Sequence, residues 1–464
     1  VIGALARPLS AVARARVAAD LAARLRFQRT LRRWPAPLRA APNAVPFVSL
    51  YEQGALRGCF GDHEGPPGER LARAFLRATS DARFPPIRDR SVVAGECVYM
   101  HSTFTTNRAG ALARLEVGTH GVGLAPPAGA PVVLLPAVAR DEGFDAAGML
   151  RALEAKASRS LDEGELFLFE VSRIVARGGR DARVEETSAR AARSTRATSA
   201  DYADAWLERL VQPDGAIVFA IDPRARSFTA VGELHHARAA MVLRALGDRA
   251  PRRARARMEG EARAALRGDP IAGWPTEPAA VAGTLAHLIL AGIDLSAELR
   301  ALVGRSRSSP IDPWFAGQVA FALGDATPPE LLRVLADDLR AHPWAPWTAL
   351  AARRRGDRAL LARAVRPLIR SLREDGPHVG GCTATAIPEL ALTALTIEAL
   401  AGLPDREART AVARARRFLE RWQLRPGNIP AALDPALAMG AFPASPITPL
   451  LRCDVVAHVR LALG

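Results

Sequence analysis

The chain has 464 residues, of which 49% are hydrophobic. That is enough for two or three domains with sizeable cores. Its formal charge is +15, from 63 basic and 48 acidic residues, and only one of the 63 is a lysine, Lys156. This skew reads as a GC-rich coding bias in a bacterial protein. A nucleic-acid footprint needs a clustered basic patch interleaved with aromatics, and aromatics make up only 5% here. A solvated basic surface is therefore favoured over a nucleic-acid face.

Residues 9–33 are predicted to form an amphipathic helix. Ser10 caps it, and Val12, Val17, Leu21, Leu25 and Phe27 form its apolar stripe. Pro35 and Pro37 end it. Arg7, Arg14 and Arg16 interrupt any signal-peptide pattern. Strand signals follow at 46–51, 92–104 and 165–171, with an irregular apolar segment at 131–139. Helices are expected at 67–78 and 145–157. The pattern is α+β with an antiparallel sheet. Residues 181–200, rich in Arg, Ala, Ser and Thr, read as a linker.

Residues 201–464 carry twelve helical candidates: roughly 201–211, 233–246, 252–267, 279–291, 295–304, 313–323, 328–340, 344–355, 358–373, 388–402, 406–421 and 452–462. The spacing of about 22 residues per helix and loop suits stacked helical hairpins. No repeated consensus is present, which favours a closed α/α toroid over an open solenoid. A β-hairpin is expected at 214–220. This half resembles the fold of six-hairpin glycosidases and terpenoid cyclases. No apolar run reaches the ~18–20 residues of a membrane span. The longest, 281–295, carries His287. Cys59, Cys97, Cys382 and Cys453 form no CxxC pair. That argues against a disulfide framework or zinc ribbon and for a reducing, cytoplasmic setting.

The most telling stretch is Leu56-Arg57-Gly58-Cys59-Phe60-Gly61. Gly58 and Gly61 permit a tight turn or close approach to a ligand. Arg57 would favour a Cys59 thiolate, and His63, His101 and His120 are candidate bases. The same pattern also describes a structural cysteine in a β-turn.

The hexapeptide resembles the Leu-Arg-Gly-Cys-Ile-Gly signature of the AMMECR family, system protein A of the AmmeMemoRadiSam gene groups. Further segments follow in the family's order: Asp81-Ala82-Arg83-Phe84-Pro85-Pro86, Gly118-Thr119-His120-Gly121-Val122, Leu134-Leu135-Pro136-Ala137-Val138, Gly143-Phe144-Asp145 and Lys156-Ala157. The resemblance covers about residues 9–180, with Phe60, Phe144 and Ser158 standing where the family has Ile, Trp and Gly. It implies an α+β domain, here residues 1–180; the linker and the toroid-like domain over 201–464 follow from the helical pattern above. It also implies a modification pathway shared with Memo-like and radical SAM partners. It names no cofactor and leaves open whether the protein is an enzyme.

The expected function is binding, or modification, of a small molecule or peptide at residues 56–61. Cys59 is the catalytic candidate, and Arg57, Gly58, Gly61, Arg83, His120 and Lys156 are the ligand-binding candidates. Lys156 draws attention because arginine has replaced lysine everywhere else. The toroid would supply a second pocket from Asp214, His236, Asp312, Asp454 and His458. His378 and Cys382, like Asp454 and His458, stand four apart, so each pair would share a helical face. No metal site is assigned. The alternative is a non-catalytic regulator or scaffold, RNA-associated through its arginines.

Overall fold

The structure, a computed structural model, describes residues 10–16, 19, 45–63, 67–89, 93–177, 184–186, 197–232, 234–305, 313–337, 345–426 and 428–464. Residues 11–16 are helical. Most of the rest of the 9–33 helix, and most of the 181–200 linker, lie outside the described residues. The chain forms two compact units. One comprises residues 1–196 with two later segments, 223–227 and 424–439; the other holds the remainder.

The first unit is built on an antiparallel sheet in the order β2-β1-β3-β6-β4-β5, with β7 also paired to β6. Its strands are β1 (Pro46–Glu52), β2 (Ala55–Gly61), β3 (Val93–Thr105), β4 (Gly121–Ala125), β5 (Val132–Leu134), β6 (Glu165–Arg177) and β7 (Val184–Glu186). Residues 56–61, where the glycines suggest a tight turn, are strand β2. Gln53 and Gly54 both have positive φ, which closes a two-residue hairpin and carries the chain straight back along β1. Helix α1 (Pro67–Ala78) places Leu71, Ala74, Phe75 and Ala78 at i, i+3, i+4 and i+7, so one stripe is buried on Val48, Leu50 and Cys97. On the opposite face Val98, Val133, Leu135, Phe167 and Phe169 form a second apolar layer.

Helix α2 (Arg108–Arg114) follows β3. The apolar 131–139 segment divides into β5 and helix α3 (Pro136–Glu142). Pro136 cannot donate to a ladder but suits the first helical position, and Gly143 ends the helix in the left-handed region. Helix α4 (Ala146–Ala157) starts at Asp145, whose side chain accepts from the Gly148 N–H at 2.7 Å.

The second unit holds twelve helices among the described residues. They are α5 (Ser199–Leu210), α6 (His235–Leu246), α7 (Arg252–Leu266), α8 (Pro278–Leu290), α9 (Ser296–Arg305), α10 (Pro313–Leu323), α11 (Pro329–Asp337), α12 (Ala345–Arg355), α13 (Arg358–Arg370), α14 (Leu390–Leu400), α15 (Arg406–Trp422) and, after the short α16 (Pro435–Ala438) of the first unit, α17 (Cys453–Leu463). Helices α6, α8, α10, α12, α14 and α17 pack in succession, and α17 returns to α6. The ring is therefore closed. The other six lie outside it, each against an inner helix, with α5 from the start of the unit covering α17 from its end. Inner helices are buried nearly all round, whereas outer helices such as α15 bury one stripe and turn arginines outward. This is an α/α toroid.

Of the hairpin expected at 214–220 only Ala220 lies in a strand and Ile217 makes an isolated bridge to Val211; the hairpin forms just beyond it, from β8 (Ala220–Asp222) and β9 (Ser227–Thr229), in a four-stranded sheet, β10-β11-β8-β9, with β10 (Pro443–Ser445) and β11 (Thr448–Arg452). The strand partner of β8 comes from the end of the chain, Leu451 opposite Ile221, which local sequence could not reveal. No described helix is long and apolar enough to cross a membrane.

Candidate functional site

The site is a consequence of one irregularity in the β1–β2 ladder. Leu50 stands opposite Gly58 and Tyr51 opposite Leu56, leaving Arg57 as an extra residue. The bulge resets the two-residue alternation. Leu56 and Cys59 thereby join Phe47, Ser49 and Tyr51 along one cavity, while Phe60 packs on the opposite core. The cavity encloses about 370 Å³. Leu135 and Val138 add apolar wall, and Arg83, Asp141 and Lys156 add charge.

Both glycines of the hexapeptide serve close packing. A Cβ on Gly58 would lie 1.8 Å from the Ala78 carbonyl oxygen at the end of α1. One on Gly61 would lie 2.5 Å from the Phe47 ring. These residues bring α1 and the cavity wall against β2.

Cys59 is held on both sides. Its backbone N–H donates to Asp81 Oδ2 at 3.1 Å, and its carbonyl accepts from Arg83 Nη2 at 2.6 Å. Arg83 also grips Asp81 through Nε at 2.9 Å and Nη2 at 2.7 Å. The Asp81–Arg83 pair thus straps the outer side of β2, a sheet edge whose backbone groups need partners. With its backbone groups directed outward, Cys59 occupies a non-hydrogen-bonded position opposite Ser49, where facing side chains come closest. Ser49 Oγ donates to Cys59 Sγ at 3.4 Å.

This environment keeps Cys59 a thiol. Burial pushes its pKa up, outweighing the Ser49 hydrogen bond and the Lys156 and Arg83 charges. The expected influence of Arg57 is absent. Its Nε bonds Glu52 Oε2 at 3.1 Å, and Glu52 Oε1 also accepts from the Arg88 and Asp89 N–H groups at 2.7 and 2.6 Å. Arg57 is therefore a clamp between the hairpin and the 88–89 segment and does not line the cavity.

Lys156, in the last turn of α4, donates from Nζ to the Val133 carbonyl at 2.9 Å. Desolvation by the cavity wall holds its pKa below the usual lysine range; Cys59 opposes this and Arg83 adds to it. His120 is elsewhere. Its Nδ1 accepts from the Glu116 N–H at 3.2 Å, and its ring meets the Phe104 edge at 5.7 Å. His63 is exposed, and the His101 side chain lies outside the described residues. Cys59, Gly61, Arg83 and Lys156 therefore share the cavity, Arg57 and Gly58 pack beside it, and His120 lies apart from it. Ser49, Tyr51, Asp81 and Asp141 were missed as single residues. Asp81 alone had a local signal, its spacing from Arg83.

The toroid candidates fall into two separate networks. Asp214 is mostly exposed, pairing with Arg257 at 2.7 Å; Arg257 also binds Glu261 at 2.8 Å, and Glu261 meets His236 Nε2 at 3.0 Å. His236 is buried with its ring 5.1 Å from Trp274. Asp454 is buried between Arg452 at 3.1 Å and Arg238 at 3.6 Å. One turn later, His458 turns toward the ring axis against Trp347, at 6.1 Å between ring centroids. The axis layer draws one polar or aromatic residue from each inner helix: Arg244, His287, Gln318, Trp347, Glu398 and His458, with Arg244 ion-paired to Glu398. Asp312 lies outside the described residues. His378 is buried against Phe418 and Trp422. Among the described residues, Asp214 and His236 belong to one network and Asp454 to another, with His458 in the layer that holds Trp347. No cluster of three or more metal-ligating side chains occurs among the described residues.

Residues 11–174 match the AMMECR1 family. Among curated proteins none matches the chain. Similar solved structures include the uncharacterized protein PH0010 from Pyrococcus horikoshii, at 20% identity, covering 38% of this chain and 94% of that one, with a TM-score of 0.30. A wild-type glycosidase, at 16% identity, covers 57% of this chain and 94% of its own, with a TM-score of 0.30. A variant glycosidase in complex with glucose matches at the same identity, coverage and TM-score.

Proposed function

Starting from an AMMECR1 domain over residues 11–174, we propose that this domain binds a small molecule, or a short peptide end, carrying an anionic group on an apolar body. The observation that supports this most directly is the lining of the 370 Å³ cavity. Two cationic side chains from separate segments, Arg83 and Lys156, stand beside Cys59 and outnumber the one carboxylate of the lining, Asp141, and the remaining wall is largely apolar. Concave, apolar sites with a few convergent polar groups are the usual form of small-ligand pockets. Cys59 serves as a neutral wall residue that donates or accepts weakly, because its thiol is pushed up and no imidazole among the described residues lines the cavity.

The test is a thermal-shift and calorimetric screen of the full chain against small carboxylates and phosphate esters with aliphatic or aromatic bodies. Binders should stabilise the protein. Lys156→Ala should weaken them roughly tenfold or more, the worth of a charge-assisted hydrogen bond, while Cys59→Ser leaves them near wild type. Binding unchanged by Lys156→Ala would place the ligand outside this cavity.

A further inference from the structure

We propose that Lys156 is a nucleophilic amine, and that the cavity takes a small carbonyl compound bearing a carboxylate, of the 2-oxo acid class, which condenses with Lys156 Nζ. This rests on the cavity being an anion site and deepens it by naming the substrate class.

Three independent observations converge on it. First, all 62 other basic residues are arginine, so the one position that keeps lysine is a position where guanidinium does not serve. A guanidinium provides charge and hydrogen bonds as well as an ammonium does. What it lacks is the ability to shed a proton and present a lone pair near neutral pH. Second, Lys156 belongs to the cavity lining while the residue itself is exposed, so the amine has access from solvent and a wall behind it. The Val133 carbonyl, 2.9 Å from Nζ, orients the amine. Third, its surroundings are those that activate an amine: partial desolvation and a neighbouring guanidinium, Arg83. Arg83 lines the same cavity and, with Nε and Nη2 held by Asp81 and the Cys59 carbonyl, leaves Nη1 to meet a ligand carboxylate.

The step balances without an oxidant or reductant. The Lys156 ammonium first releases a proton to solvent. The Nζ lone pair then forms a bond to the carbonyl carbon, and the carbonyl π pair moves to oxygen. A proton passes from nitrogen to that oxygen, giving the carbinolamine. A further solvent proton on the hydroxyl lets it leave as water, and the C=N bond forms. Cys59, Ser49 and Tyr51 border the cavity as neutral hydrogen-bonding groups, and none is required to ionise.

The chain offers an unusually clean test, because its only amines are Lys156 and the N-terminus. The 464-residue chain is incubated with pyruvate or glyoxylate and cyanoborohydride at pH 7.5, and the product is read by intact mass and peptide mapping. One reduced adduct is expected on Lys156. It should form at least tenfold faster than on Lys156 in the same chain unfolded in urea. Propionate, which has the carboxylate without the carbonyl, should slow it competitively. Lys156→Arg should retain propionate binding and lose the Lys156 adduct. Adduct only at the N-terminus, or equal rates in folded and unfolded chains, would overturn the nucleophile assignment. If propionate nevertheless binds and depends on Lys156, the anion site stands without it; if propionate neither binds nor protects, the anion site falls as well.

Discussion

At the scale of single residues, environment reverses what side-chain identity suggests. Cys59 sits two residues after an arginine and between two glycines, a pattern that points to a reactive thiolate. The bulge at Arg57 instead directs that guanidinium to Glu52, and burial dominates the thiol. Alkylation separates the two pictures. Iodoacetamide should label native Cys59 slowly at pH 7, with the rate climbing only above pH 9, since its pKa is raised from 9.0. Cys97 is fully buried with its pKa pushed up to about 12, and should remain unlabelled until the protein unfolds. Fast labelling of Cys59 at pH 7 would return it to the nucleophiles.

At the scale of elements, ends and turns carry most of the local specification. The Gln53-Gly54 turn sets the β1–β2 register, and Pro136 with Gly143 defines α3. Ser158 is a departure with a measurable cost. It ends α4 in the left-handed region at φ 53°, where the resembling family has glycine. A non-glycine residue there loses about 0.5–1 kcal/mol relative to glycine. Ser158→Gly should therefore stabilise the first unit by about that amount in urea unfolding, with an unchanged m-value. A loss of stability would mean that the Ser158 side chain makes a compensating contact. Gly58 is the opposite case, since any side chain there meets the Ala78 carbonyl.

At the scale of the whole molecule, part of the basic charge serves the fold itself. Arginines cap helix-end carbonyls: Arg354 reaches the Phe321 carbonyl, Arg355 that of Gly324 and Arg363 that of Ala336, at 2.6–2.8 Å. The toroid also carries an acid liability. His235, His236, His287 and His458 are buried, and burial lowers the pKa of each. A depressed histidine contributes stability that is complete above its unfolded value near 6.5 and is lost as pH falls through the folded value. For His235 the folded value is about 4, so roughly 3 kcal/mol disappears between pH 6.5 and 4. Thermal unfolding of the toroid should hold near pH 7–8 and fall steeply below pH 6.5, and His235→Gln should flatten that fall. A melting temperature flat from pH 7 to 4.5 would contradict this assignment.

By itself the sequence determined the antiparallel α+β half, the twelve helices of the second half and the residue motifs of the first, because period, caps and turn residues are local properties. It also singled out Lys156, since a count of residue types needs no coordinates. Only the tertiary structure decided which of those residues meet. The Asp81–Arg83 strap on β2 and the return of α17 to α6 depend on pairings across long stretches of chain. Such pairings are selected by burial and by the need of each backbone group for a partner, and neither leaves a mark at a fixed spacing in the sequence.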